Sequence, residues 1–427
     1  VHWELVTLAA ALLGYAAVSG RLEGTSISSA MFFTAAGVVV GIEALDLVSP
    51  EATGVTVKLL AEATLAVVLF SDASRINVAS LRREVGVPVR LLGVGLPLTI
   101  VAGFVAALVL LPGLAWPEAL VLAVILAPTD AALGQAVVTF RRLPAAVRQG
   151  LNVESGLNDG ICVPLLIVAL TVAQAEERAF GSAHALRLIV EKIGFGLLAG
   201  GLAGTLAAAI VVLAGRRRWI SELWLQVVPL ASALLAYALS EAIGGSGFIA
   251  AFTGGLVFGV LRAERGGEVG FLTEEAGGLL GAVTFLVFGA VLLGSAVGDA
   301  TWQVLLYAVL SLTVVRMVPV ALAMRGTGAR RPTVLFLGWF GPRGLASIVF
   351  ALLVLEEGGL PGEDIILSAA FVAVGLSVLA HGITAAPLSR RYADWNESRT
   401  DLERESLEGR AAAELRWRFR VGSRESG

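Results

Sequence analysis

Residues Glu154 to Asp159, ESGLND, put two carboxylates, a hydroxyl and an amide into a run otherwise built mostly of Val, Leu, Ile and Ala. Ionisable side chains at membrane depth are costly, and where they persist they mark ion or proton pathways. On a helix Ser155 and Asp159 are i, i+4 neighbours, as are Glu154 and Asn158, and Glu154 lies about 100° around the helix. An oxygen-only donor set without a His or Cys cluster suits a hard cation and disfavours zinc or copper. Burial raises the pKa of a carboxyl and a bound cation lowers it. Asp159 can therefore hold a proton or a metal cation, each expelling the other. One such carboxylate, exposed alternately to the two sides of a membrane, is sufficient for exchange.

Two other stretches are suited to meet that helix. In APTDAALG, Ala127 to Gly134, Pro128 cannot donate a backbone hydrogen bond and disfavours helix at Ala127, midway along the apolar run 117–140. FGPRGLAS, Phe340 to Ser347, interrupts the run 332–356 in the same way. Non-helical backbone at membrane depth is tolerated where it lines a cavity or is buried in protein. Paired interruptions in corresponding positions of two halves point to a transporter's binding site. Asp159 and Ser155 can face the first interruption. Arg343, in the second, offers a charge for Glu154, and such a pair would make Glu154 a structural anchor. Asn158 is a neutral amide where a second carboxylate could stand. A single titrating carboxylate that trades one proton for one monovalent cation moves no net charge.

The rest of the chain must position these groups. Its 427 residues are 57% hydrophobic and 15% charged, against about 25% charged in soluble domains, and mean hydropathy is +0.84. The class is a polytopic all-α membrane protein. A span needs about 20 apolar residues, and the apolar runs give about 13 spans. They lie near 3–19, 28–45, 56–73, 86–111, 117–140, 147–173, 188–214, 222–243, 246–262, 275–297, 302–323, 332–356 and 364–388. The first reads as a transmembrane helix rather than a signal peptide, having no basic n-region. Alternate connections carry 16 Arg residues and the opposite ones only Lys58, Arg178, Arg187 and Lys192. By the positive-inside rule the N-terminus is outside and the C-terminus cytoplasmic. With 188–214 as connector, residues 1–173 and 222–388 form two six-helix units of inverted topology. Residues 389–427 read as a short cytoplasmic tail, with AAAELRWRFR on the membrane surface. Cys162 is alone, which excludes an internal disulfide, and reads as a packing residue.

The motifs APTD, ESGLNDG, GSGFIAAFTGGLVFG, RMVPV, GPRGLASIVFAL and HGITAAPL, in this order and spacing, resemble the NhaP-type branch of the monovalent cation:proton antiporters, within the sodium/proton exchanger superfamily. The resemblance covers nearly all of residues 1–390. It implies an antiporter of the cell (inner) membrane, serving pH homeostasis, that exchanges Na+, or else Li+ or K+, for H+. It also implies a homodimer with an elevator-like core, crossed discontinuous helices, and neither cofactor nor nucleic-acid partner. Asp159 would be the ion- and proton-binding carboxylate. Thr129, Asp130, Ser155, Asn158 and Glu154 would complete or support the site, with Na+ on Asp159, Ser155 and Thr129. Arg343 would pair with Glu154, and the Asn-Asp sequence would mark the electroneutral branch.

A second tier stays open from the residues alone. Glu62 serves either the site or an interhelical hydrogen bond. Asp72 and Arg75, i and i+3, read as an interfacial pair or as part of an ion funnel. Arg316 anchors its span to a carboxylate or a helix end. His381 is a packed histidine or a pH sensor. Two readings from other classes use the same acids: a cation channel, which lacks repeated filter elements here, and an intramembrane aspartyl protease using Asp130 and Asp159, which leaves the Arg-bearing interruption unexplained.

Overall fold

The computed structural model describes residues 3–22, 25–41, 55–76, 86–130, 133–177, 182–217, 219–262, 269–357, 359–398 and 407–409. In chain order the helices are α1 (Trp3–Leu22), α2 (Ser29–Val40), α3 (Val55–Ser74), α4 (Val87–Leu110), α5 (Trp116–Ile125), α6 (Gln135–Val138), α7 (Ala145–Glu177) and α8 (Ser182–Arg216). There follow α9 (Glu222–Ala242), α10 (Gly247–Arg262), α11 (Phe271–Gly298), α12 (Trp302–Ala323), α13 (Arg331–Trp339), α14 (Leu345–Glu357) and α15 (Glu363–Glu397), then a 3-10 turn at Leu407–Gly409. Each apolar segment read from the sequence contains helix among the described residues, two of them broken midway. Among the described residues, 8 helices are long and apolar enough to cross a membrane. Their outward faces carry open Leu and Val side chains such as Leu13, Val109 and Leu198, a surface fit for lipid rather than water.

Helix starts follow local chemistry. Ser28 accepts from Met31 N at 3.2 Å and Thr301 from Val304 N at 3.3 Å, each satisfying an orphan N–H of the first turn. At the start of α5, Glu118 reaches back to Ala115 N at 2.8 Å and also holds Gly362 N at 2.7 Å, tying α5 to the connection before α15.

The two interruptions fall where Pro128 and Gly-Pro-Arg-Gly foretell them. Helix α5 ends at Ile125, and only the four-residue α6 continues that segment beyond the break. Helix α13 ends at Trp339 and α14 restarts at Leu345. Helix α15 runs on to Glu397, past the boundary set at residue 388, because its face remains packed: Tyr392 and Ala393 are buried, and Arg142 pairs with Asp394 and Glu397 at 2.7 Å each. The stretch AAAELRWRFR lies outside the described residues.

Packing sorts the helices into two groups. One gathers α1 to α3 with α8 to α11; the other gathers α4, α5, α7 and α12 to α15. The glycine-rich α10 packs closely on α3 and α8. Between the groups runs a seam. At one end it holds a cavity of about 80 Å³ lined by Ser29, Ser71, Asp72, Asp130, Glu274 and Leu345, among others, with room for several waters. At the other end Lys58 of α3 pairs with Glu356 of α14 and lies 3.8 Å from Glu62.

Candidate ion-binding site

The two interruptions cross and complete each other's hydrogen bonding. Asp130 N donates to Pro342 O at 2.7 Å, and Leu345 N donates to Asp130 Oδ2 at 2.9 Å. Asp130 thus caps α14 from the other broken segment, its negative charge set against the positive end of that helix. Ser347 Oγ donates to Ile125 O at 2.8 Å, serving the end of α5. The glycines of GPRG allow this approach. A Cβ at residue 344 would lie 2.1 Å from Asp130 Oδ2, and one at residue 341 would lie 2.4 Å from Arg316 Nε.

Helix α7 lays ESGLND against the first interruption. Ser155 Oγ donates to Thr129 O at 2.7 Å, and Asn158 Nδ2 donates to Thr129 Oγ1 at 2.7 Å. Thr129, Asp130, Glu154, Ser155, Asn158 and Asp159 are all buried. Asn158 Oδ1 has no hydrogen-bond partner among the described residues. The structure thus brings Ser155 and Asn158 onto Thr129 and Asp130 onto the second interruption at one buried crossing, with Asp159 buried on the same helix as Ser155 and Asn158. Among the described residues there is no group of three or more His, Cys, Asp or Glu side chains arranged for a metal ion. The oxygens on hand come from hydroxyl, amide, carboxylate and backbone groups, ligand types that suit hard cations.

One pairing is corrected. Glu154 binds Arg316, not Arg343: Nη1 to Oε1 is 2.6 Å and Nη2 to Oε2 is 2.8 Å, with both side chains buried. The bidentate fork reaches Glu154 because residue 341 has no side chain in its path. Arg343 is equally buried and turns to backbone carbonyls instead: Gly341 O at 2.9 Å, with Pro128 O and Ser311 O at 3.4 Å. Its charge sits where helix ends leave carbonyls exposed, the usual place for a cation. Arg316 thus takes the carboxylate role that the sequence left open for it.

The second-tier residues lie as follows. Arg75 donates to both oxygens of Glu274 on α11, a partner the linear i, i+3 argument with Asp72 did not reveal. Asp72 lines the cavity beside Asp130. Glu62 lies near Lys58, at the far end of the seam from that cavity. His381 is buried, with Nδ1 3.2 Å from Ser377 Oγ and Nε2 2.8 Å from Trp339 O. Cys162 is buried and free. Ser311 and Ser377, which meet Arg343, carried no signal in the sequence, since a serine in an apolar run is common.

A buried oxygen site at the crossing of two interrupted helices, in an all-helical membrane protein, defines a transporter rather than an enzyme. The chain belongs to the sodium/hydrogen exchanger transmembrane family, whose profile matches residues 8–391. It is 27% identical over 335 residues to the K(+)/H(+) antiporter NhaP of Alkalimonas amylolytica, covering 78% of this chain and 57% of that one. It is 28% identical over 369 residues to the Na(+)/H(+) antiporter ApNhaP of Aphanothece halophytica, covering 81% of this chain and 67% of that one. The chain thus spans less than three fifths of the first of these relatives. Its fold matches the structure of the sodium proton antiporter MjNhaP1 from Methanocaldococcus jannaschii with a TM-score of 0.73 at 20% identity, over 88% of this chain and 98% of that one.

Proposed function

We propose that the protein is a secondary antiporter exchanging a monovalent cation, Na+ foremost and otherwise Li+ or K+, for H+. The observation that carries this reading is a buried Asp159 on the same helix stretch as Ser155 and Asn158, which hold the Thr129 break. Asp159 binds the proton and the cation in turn, with Ser155 and Thr129 as cation ligands. Asp130 supports the site by fixing the crossing, and the Glu154–Arg316 pair holds α7 to α12. Exchange is electroneutral. Asn158 supports this: its amide donates to Thr129 Oγ1, which an ionised carboxylate could not do, so position 158 adds no second charge next to Asp159.

Alternating access follows the seam. With the charge bias placing the N-terminus outside, the cavity with Asp72, Asp130 and Glu274 faces the cytoplasm and the Lys58–Glu356 pair closes the outer end. This arrangement is the inward-open half of an elevator-like cycle in which the group bearing the crossing moves against the other. The thirteen spans, the two inverted six-helix repeats at 1–173 and 222–388 around the connector 188–214, a homodimer, residence in the cell (inner) membrane and a cytoplasmic C-terminal tail complete the reading.

The test is exchange in proteoliposomes, read as dequenching of a pH-sensitive dye on addition of Na+, Li+ or K+, with and without an imposed membrane potential. Wild type is expected to exchange at rates insensitive to potential, and Asp159→Asn to be inactive while eluting as a folded protein. Retained pH-dependent exchange in Asp159→Asn, or conduction at channel rates, refutes the assignment.

A further inference from the structure

Helix α15 touches the second interruption through Ser377 and His381, with Thr384 beside them, and none of these residues binds the first interruption or lines the cavity. Ser377 Oγ accepts from Arg343 N at 2.7 Å. It also lies 3.2 Å from His381 Nδ1, and His381 Nε2 lies 2.8 Å from Trp339 O. Nδ1 is also 3.0 Å from Ser377 O, so each ring nitrogen faces a backbone carbonyl, which can only accept, and a neutral ring donates to one of the two. The Ser377 hydroxyl accepts from Arg343 N–H and lies within reach of the ring. Trp339 O also takes Gly341 N at 2.8 Å, and Trp339 Nε1 donates to Thr384 Oγ1 at 2.9 Å. Both ends of the interruption, Trp339 and Arg343, are therefore fastened to one face of α15. All three residues Ser377, His381 and Arg343 are buried, where an unmet polar group is expensive and a satisfied network fixes a unique arrangement.

The fastening continues to the ion site without a gap. Between Trp339 and Leu345 lie Pro342, whose carbonyl takes Asp130 N, and Leu345, whose N–H meets Asp130 Oδ2. Asp130 is covalently next to Thr129, which holds Ser155 and Asn158. We propose that Ser377 and His381 are positioning residues for the cation site. They hold the second interruption at the depth and orientation that set Asp130 and Thr129 against Asp159, and they touch neither cation nor proton themselves. This rests on the antiport reading for its consequence in transport but not for its geometry.

Four variants test it: Ser377→Ala, Ser377→Thr, His381→Leu and His381→Gln. Losing one such hydrogen bond is expected to raise the apparent KM for the transported cation about 3- to 10-fold in Ser377→Ala and His381→Leu. Ser377→Thr keeps the oxygen and His381→Gln keeps an N–H for Trp339 O, so both are expected to stay within about 2-fold of wild type. A merely structural role would lower the yield of folded protein and leave KM unchanged. KM unmoved in Ser377→Ala, or His381→Gln no better than His381→Leu, overturns the proposal. Amide hydrogen exchange on the full chain supplies a readout that needs no transport. Peptides covering 339–345 and 127–130 are both expected to exchange faster in Ser377→Ala, and acceleration confined to 339–345 overturns the link to the site. If wild type moves no ions, the antiport reading fails while this second readout still decides the geometry.

Discussion

Removing one partner of the Glu154–Arg316 pair leaves a charge buried with nothing to balance it. The bonds are bidentate at 2.6 and 2.8 Å, and both side chains are almost wholly inaccessible. Hydrogen bonds to charged groups contribute about 1.5–3 kcal/mol each, and breaking a buried pair costs about 3–5 kcal/mol. Glu154→Gln and Arg316→Met are each expected to lose that amount in equilibrium unfolding in mixed detergent micelles. The double variant removes both charges together, so it is expected to recover at least about 2 kcal/mol relative to the sum of the single losses. The matching cycle of Glu154 with Arg343 is expected to show a smaller coupling, because Arg343 binds carbonyls of Gly341, Pro128 and Ser311 rather than the carboxylate. Folded Glu154→Gln should still exchange cations for protons, since Asp159 is intact. Additive losses for Glu154 and Arg316, or a coupling to Arg343 as large as that to Arg316, would refute the reasoning.

Two further perturbations address the crossing and the seam. Gly344→Ala puts a methyl 2.1 Å from Asp130 Oδ2, so Asp130 must leave its cap. Exchange is expected to fall on the order of 100-fold for a stability loss of about 1–3 kcal/mol, and dequenching rates beside unfolding midpoints check both. Lys58→Gln removes a pair whose side chains are over one third open, so stability should change by less than about 1 kcal/mol. It should nevertheless shift the protein away from the inward-open state. A cysteine placed at Gly278, in the cavity wall, then reacts more slowly with a water-soluble thiol reagent, against a low background because the native Cys162 is buried.

Much of the architecture is legible in one dimension because lipid imposes simple rules. Apolar runs of the right length must be helices, since backbone groups cannot stay unsatisfied in hydrocarbon. Proline and glycine inside such runs must interrupt them, which is why APTD and GPRG announced both breaks. The linear chain could not say which arginine meets Glu154. Arg316 and Arg343 are both buried charges on neighbouring elements, and the choice turns on a missing side chain at Gly341 and on carbonyls exposed by helix ends. Those are properties of the crossing and exist only once it forms. Arg75 found Glu274, 199 residues away, for the same reason. Ser377 and His381 became part of the site's scaffold only when α15 lay against Trp339 and Arg343. Sequence determined which groups are too costly to bury without purpose; tertiary structure decided which of them face each other, because pairing at fixed burial depends on side-chain reach and backbone approach.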